Sequence, residues 1–87
     1  MAETHNVAIK GPPFAFDPNS LTIKAGDIVA WTNQTSAPHT VTADNGDFDS
    51  GRLRPGAPPF SHTFNATGNN GYHCEIHPSM TGTVIVT

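Results

Sequence analysis

The sequence predicts an all-β fold, a Greek-key sandwich or barrel of about seven to eight strands, in a single domain over residues 1–87. Short runs rich in β-branched and aromatic residues alternate with turn residues roughly every 8–12 positions. The 8 Gly and 8 Pro also favour turns over long helices. No window carries an apolar stripe with a 3.6-residue period over three turns, which argues against helices.

Seven strands are predicted where apolar and polar residues alternate or where β-branched residues cluster. The first ends at Gly11-Pro12-Pro13, and the second ends before Gly26. The predicted strands cover residues 5–10, 21–23, 28–32, 39–43, 60–64, 72–74 and 83–86.

Residues 44–59 form the longest irregular stretch. Its mixed charges and prolines predict a solvated excursion between strands, with one helical turn near residues 50–53. We expect local charge balance among its ionic side chains, which are Asp44, Asp47, Asp49, Arg52 and Arg54.

The net charge of −3 and the presence of only four basic residues exclude several classes of partner. A nucleic-acid binder needs a positive stripe to replace the counterions of phosphates, and a polybasic membrane anchor needs a similar cluster. No apolar run approaches the roughly 20 residues of a membrane span. We therefore expect no nucleic-acid partner and no membrane span. We also expect a monomer.

Residues 1–5 are polar and resemble no secretory signal. The chain is then either cytosolic or the mature form of an exported protein. We expect the second, with a periplasmic or otherwise exported location.

The segment Tyr72–Thr83 contains the most informative pattern, with Cys74, His77 and Met80 spaced three residues apart. Donors three apart point to opposite faces of a strand, but in a tight turn they can converge. Thiolate, imidazole and thioether form a soft donor set that suits copper in both of its oxidation states. Because Cys74 is the only cysteine, it cannot form an internal disulfide.

His39 is the best candidate for a fourth donor, because it follows Pro38 at the start of the predicted fourth strand. If that strand runs antiparallel to the strand ending at Cys74, its start and the other's end meet at one edge. Two His and one Cys with a long axial Met describe a blue-copper electron-transfer site. A zinc site is an alternative, since Cys and His also bind zinc, although Met is a poor zinc ligand.

These segments resemble the small blue-copper proteins, or cupredoxins, of the plastocyanin and amicyanin type. Residues 33–39 are similar to the segment before that family's first ligand, and residues 71–80 are similar to its ligand loop. The Cys-x2-His-x2-Met spacing resembles the short amicyanin loop, and residues 16–27 resemble the family's second-strand region. Thr40 stands where relatives usually place an Asn that ties two ligand loops together, so we expect a different tie there.

The resemblance implies one type 1 copper per chain, held by His39, Cys74, His77 and Met80, that shuttles single electrons between redox partners. It also implies that His77 reaches the surface through an apolar patch where partners dock. The residues available for this docking patch are Ala37, Pro38, Pro58, Pro59, Ile76 and Pro78, with Pro13 and Phe14 as further candidates.

Two other functions remain open. A copper transport, storage or sensor module would use the same ligand set. An enzyme would need an open coordination position or a second metal, and His5, His62 and His73 do not form a plausible second cluster. We expect no enzymatic activity, with His73 on the surface, His62 half-buried and hydrogen-bonded, and His5 without a role.

Overall fold

The computed structural model describes residues 2–87 and contains eight strands in two facing four-stranded sheets. The all-β sandwich is therefore confirmed, at the upper end of the expected strand number. No helix occurs within residues 2–87, and so none is long and apolar enough to cross a membrane. The strands are β1 Thr4–Lys10, β2 Ala15–Asp17, β3 Ser20–Ile23, β4 Ile28–Asn33, β5 Thr42–Ala43, β6 Phe60–Thr63, β7 Gly68–His73 and β8 Thr81–Val86.

The first sheet has the order β2-β1-β4-β6 and the second the order β3-β8-β7-β5. β1 and β4 pair in parallel, from Thr4 opposite Ile28 to Ile9 opposite Asn33. β3 and β8 form the other parallel pair, and the remaining pairings are antiparallel. Because chain neighbours such as β3 and β4 lie in different sheets, the chain crosses between the layers and closes one core.

Trp31 on β4 is fully buried at the centre of that core. Its ring stacks on Phe48 and Phe60 at centroid distances of 5.8 Å and meets Tyr72 edge-on at 5.3 Å. Aromatic pairs of this kind contribute about 0.5–1.5 kcal/mol beyond their area burial. The Tyr72 ring occupies the space that a Cβ at position 82 would need, which explains Gly82 on the neighbouring strand.

Three strand predictions are corrected. The strand predicted over residues 72–74 is the longer β7, Gly68–His73, which ends before Cys74. β2 was missed because its three residues lie between two proline-containing segments and are too short to show alternation. The strand predicted over residues 39–43 is reduced to Thr42–Ala43. Residue 39 instead forms an isolated bridge, in which the His39 N–H donates to the Leu53 carbonyl at 3.1 Å and the Leu53 N–H donates back at 2.7 Å.

The predicted account of residues 44–59 is wrong in three respects. Residues 50–53 form no helical turn, because Leu53 is used in the extended bridge to His39. The stretch is not wholly solvated, since Phe48 and Leu53 are buried in the core. The aspartate side chains of this stretch accept hydrogen bonds from residues other than its arginines. Among the residues described, no ion pair joins one of these aspartates to an arginine.

Candidate metal centre

Three of the four predicted donors converge at the end of the sandwich where β4 and β7 finish. The antiparallel pairing of β5 with β7 places Thr42 opposite His73. The segment that enters β5, with His39, therefore lies beside the segment that leaves β7, with Cys74. The antiparallel arrangement expected from the sequence is present, although His39 lies before the strand and not in it.

The donor atoms lie close enough to share one ion. Cys74 Sγ is 3.8 Å from His39 Nδ1 and 4.0 Å from His77 Nδ1, and the two Nδ1 atoms are 3.2 Å apart. Cys74 and His39 are completely buried, whereas His77 is half-buried. Two neutral imidazoles with facing lone pairs repel unless a proton or a cation lies between them. A thiolate and two imidazoles that converge in this way fit a soft metal ion such as copper.

Met80 is buried at the end of the loop that carries the other two donors. The Cys74 N–H donates to the Met80 carbonyl at 3.1 Å, and the Met80 N–H donates to the His77 carbonyl at 2.9 Å. These two backbone bonds close the loop and hold the three residues at fixed separations. The tight turn expected from the spacing of Cys74, His77 and Met80 is present.

Two backbone amides donate to the thiol sulfur. The N–H groups of Thr40 and His77 each lie 3.4 Å from Cys74 Sγ. Hydrogen bonds around a cysteine sulfur tune the redox potential of a copper site. One N–H comes from each ligand-bearing segment, so the hydrogen bonds to the sulfur also link the two segments.

The Thr40 side chain ties the two ligand-bearing segments together. Its Oγ1 accepts a hydrogen bond from the Glu75 N–H at 2.8 Å and lies 3.0 Å from Thr42 Oγ1. The different tie that we expected at this position is therefore a hydroxyl that accepts from the residue after Cys74.

A chain of hydrogen bonds that the sequence analysis missed orients His39. Its Nε2 lies 2.9 Å from Thr35 Oγ1, and the Thr35 hydroxyl lies 2.8 Å from Asn33 Oδ1. The Asn33 amide in turn donates to the Ala37 and Leu53 carbonyls at 2.8 and 2.9 Å. When His39 Nε2–H donates to Thr35, Nδ1 is left unprotonated and directed at the donor cluster.

Burial lowers the pKa of His39, and the neighbouring His77 lowers it further. Both effects favour the neutral imidazole that a metal requires. The only sequence signal for this arrangement is a polar Asn33-x-Thr35 run ahead of Pro38 and His39. Such a run is also common in ordinary turns.

Phe14, at the end of the β1–β2 connection, packs against both imidazoles. Its ring centroid is 4.7 Å from that of His39 and 4.7 Å from that of His77. From the sequence, Phe14 was expected only as a further candidate for the docking patch. The half-buried ring also shields the donor cluster from water.

The other histidines lie outside this cluster. His73 Nδ1 pairs with Asp44 at 2.6 Å, and its Nε2 lies 3.5 Å from Glu75. Both carboxylates raise the pKa of His73, and the hydrogen bond to Asp44 has the larger effect.

His62 is half-buried between Phe48 and Phe64, at centroid distances of 4.7 and 4.8 Å. Burial lowers its pKa, against an opposing effect of Asp47. Its expected hydrogen bond is not found among residues 2–87.

The expectation that His5 has no role is wrong. Its Nε2 lies 3.0 Å from Oδ2 of Asp27, which is only 5% exposed. The bond from His5, followed by the Glu3 N–H, lowers the pKa of Asp27 from 3.8 to about 2. Sequence alone could not show this contact, because it depends on the parallel pairing of β1 with β4.

Comparison with known proteins agrees with the chemistry of the donor cluster. The family model described as copper binding proteins of the plastocyanin/azurin family matches residues 2–87. The plastocyanin of Scenedesmus fuscus is 35% identical over 83 residues, which cover 82% of this chain and 85% of that protein. The amicyanin of Paracoccus versutus is 39% identical over 70 residues, which cover 76% of this chain and 53% of the amicyanin.

The fold has close structural counterparts. A purple cupredoxin from Nitrosopumilus maritimus superposes with a TM-score of 0.83 at 30% identity. The superposition covers 94% of this chain and 98% of that one. The overall fold is therefore similar in the two proteins.

Proposed function

The chain belongs to the plastocyanin/azurin family of copper-binding proteins, and from that premise we propose that it is a blue-copper carrier of single electrons. One observation carries the proposal. Cys74 Sγ, His39 Nδ1 and His77 Nδ1 lie within 4.0 Å of one another, and Met80 is buried at the end of the loop that carries Cys74 and His77. This is the donor set of electron-transfer copper sites.

We assign His39, Cys74 and His77 as the equatorial ligands of one copper ion and Met80 as its axial ligand. Copper in this donor set supplies a reversible one-electron Cu(II)/Cu(I) couple. Support for His39 comes from its buried ring and its bond to Thr35, which directs Nδ1 into the cluster. Support for Met80 comes from its burial at the end of the ligand loop.

The protein's own contribution is to keep the donors in place. The Thr40 hydroxyl holds Glu75, and Thr40 N–H holds the sulfur, so the two ligand-bearing segments cannot separate easily. Asn33 and Thr35 fix the plane of the His39 ring. A rigid donor set needs little rearrangement when the charge of the site changes by one, which favours rapid electron transfer.

His77 is the exit for electrons in this proposal, because it is the half-buried member of the imidazole pair. Ala37, Pro38 and Ile76 are also half-buried, and Pro58, Pro59 and Pro78 are exposed. The pairing of Phe60 with Trp31 brings the residues before β6 to the same end of the sandwich. A redox protein that docks on this apolar patch would bind weakly and leave quickly, as a shuttle requires.

The function can be tested by adding Cu(II) to the protein and recording visible absorption and electron paramagnetic resonance. An intense blue band is expected, and zinc in the same site would give none. Rapid electron exchange with slow loss of metal would distinguish a carrier from a storage or transport module. Rapid metal loss to chelators, with slow electron exchange, would contradict the carrier.

The docking patch can be tested by electron self-exchange, measured by NMR on mixtures of reduced and oxidised protein. Pro58→Glu adds a charge to the patch and should slow self-exchange. Ser61→Glu adds the same charge at an exposed position of β6 and is the control. Equal rates in both variants would exclude Pro58 from the contact.

We also propose that the protein works in the periplasm or another exported compartment. Cytosolic thiols are kept reduced and compete with Cys74 for Cu(I), whereas exported compartments are more oxidising. Fractionation of the native cells with an antibody to this chain tests the location. Recovery in the cytosolic fraction would contradict it.

A further inference from the structure

We propose that Glu3, His5 and Asp27 form a second metal site, for a borderline divalent cation of the zinc class, at the opposite end of the sandwich from the copper ligands. One ligand atom from each of the three residues lies within 4.8 Å of the others. The same residues line an open cleft of about 340 Å³. The site is independent of the proposed electron transfer.

The donor separations suit a tetrahedral ion. A histidine nitrogen and a carboxylate oxygen, each about 2.0–2.2 Å from a shared zinc, lie about 3.4 Å apart at the tetrahedral angle. His5 Nε2 is 3.0 Å from Asp27 Oδ2, which is shorter than this ideal distance, and 3.9 Å from Glu3 Oε2, which is longer. Small rotations of the exposed Glu3 side chain and of the His5 ring would equalise the two distances.

Backbone hydrogen bonds hold the Asp27 carboxylate and the start of β1 in position. The N–H groups of Glu3 and Lys24 donate to the two Asp27 oxygens at 3.1 and 3.2 Å. The Ile28 N–H donates to the Glu3 carbonyl at 2.9 Å, and this bond fixes the start of β1 beside the start of β4. Hydrogen bonds that orient ligand side chains in this way raise metal affinity.

The charges also favour a cation. Asp27 remains ionised at neutral pH, since its pKa is about 2. Glu3 supplies a second carboxylate with a 77% exposed side chain, and the cleft leaves room for water to complete the coordination. Lys24 also lines the cleft, and its backbone N–H donates to Asp27 Oδ2 at 3.2 Å. A bound ion would replace the hydrogen bond between His5 and Asp27.

The two metal sites are too far apart to share ligands. Residues 28 and 33 mark the two ends of β4, and a strand advances about 3.3 Å per residue, so the ends are roughly 17 Å apart. Zinc at this second site therefore leaves the copper ligands unchanged. Copper-loaded protein in the Cu(I) state keeps the first site filled and allows NMR detection.

The experiment is a zinc titration of the copper-loaded protein, followed by calorimetry and by ¹H–¹⁵N NMR. We expect one zinc per chain, with shifts concentrated at residues 3–5 and 24–28 and no copper released. His5→Gln should weaken zinc binding by about tenfold or more. His62→Gln removes a half-buried imidazole outside this cluster and is the control, which should bind zinc as the parent protein does.

Glu3→Gln is the second variant, because its exposed side chain can be changed without disturbing the fold. It should also weaken zinc binding, whereas the control Asp17→Asn removes an exposed carboxylate elsewhere and should not. Absence of zinc binding to the copper-loaded protein would overturn the proposal. Equal zinc affinity in His5→Gln or in Glu3→Gln would overturn the three-donor site.

Discussion

The two ends of the β1–β4 pair present donor clusters of opposite character. At one end, His39 and Cys74 are fully buried, and backbone N–H groups point at a sulfur. At the other end, backbone N–H groups point at the Asp27 carboxylate, and the Glu3 side chain is open to solvent. The same pair of strands thus supports a largely buried, soft donor set at one end and a partly exposed set of one imidazole and two carboxylates at the other.

The difference shows what burial does to a donor cluster. Removing His39 from water disfavours its charged form, so its pKa falls and its nitrogen stays available to a metal. Asp27 is also largely hidden, but hydrogen bonds to its charged form outweigh the burial, so its pKa falls as well and the group stays negative. Burial therefore favours a neutral ligand at the first end, and hydrogen bonds preserve an anion at the second.

The largest effect is expected from Cys74→Ser in the buried donor cluster. The blue band should disappear completely, because the band depends on the copper–thiolate bond. The serine oxygen can accept from the same two amides, so the sandwich should remain, as judged by far-ultraviolet circular dichroism. An intense band in the variant would remove Cys74 from the ligand set.

Thr35→Val tests whether copper affinity depends on the hydrogen bond between Thr35 and His39. Valine has the shape of threonine but cannot accept from Nε2, so the ring loses its orientation. We expect copper affinity to fall by about 10–100-fold, the usual cost of losing a partner that orients a ligand. Thr22→Val, on the exposed face of β3, is the control, and equal affinities would refute the role of Thr35.

Asp27→Asn tests how the Asp27 carboxylate contributes to the pH dependence of stability. The pKa of Asp27 is lowered to about 2 from 3.8, so its contribution to stability is fully present above about pH 3.8 and is lost as the pH falls towards 2. The metal-free variant should have a lower Tm at neutral pH and a flatter acid dependence between pH 4 and 2. Asp17→Asn removes an exposed carboxylate from an ion pair elsewhere and is the matched control. If the stability of Asp27→Asn falls in acid as much as that of the parent protein, the Asp27 carboxylate is not the source of the acid dependence.

Met80→Leu should produce the mildest change. The variant should retain copper and its colour, but its reduction potential should rise, because a thioether stabilises Cu(II) more than a hydrocarbon does. Ile76→Leu, on the same loop, is the control and should leave the potential close to that of the parent protein. A potential that falls or does not change, measured by redox titration, would show that Met80 is not axial.

The sequence predicted the local part of the copper end well. Cys74, His77 and Met80 lie within one seven-residue loop, and their spacing and the adjacent Pro78 are visible without knowledge of the fold. The family resemblance drawn from that loop is confirmed by the match over residues 2–87. The assignment of the four residues as ligands stays a prediction until a metal-loaded protein is measured.

The residues that support the site could not be predicted in the same way. Thr35 and Asn33 act on His39 through side-chain hydrogen bonds, and Phe14 approaches both imidazoles from a different connection. The bridge between His39 and Leu53 also replaced the strand and the helical turn that local patterns favoured. Each of these contacts joins residues whose patterns, read separately, are those of ordinary turns and loops.

The sequence by itself determined the all-β class, the ligand loop and the soft character of its donors, because alternation and short spacings are local properties of the chain. Only the tertiary structure decided which polar groups meet. The parallel pairing of β1 with β4 places His5 beside Asp27, 22 positions away. The antiparallel pairing of β5 with β7 brings His39 to Cys74, 35 positions away. Such contacts depend on strand order and register, which arise from packing the whole core and not from any single segment.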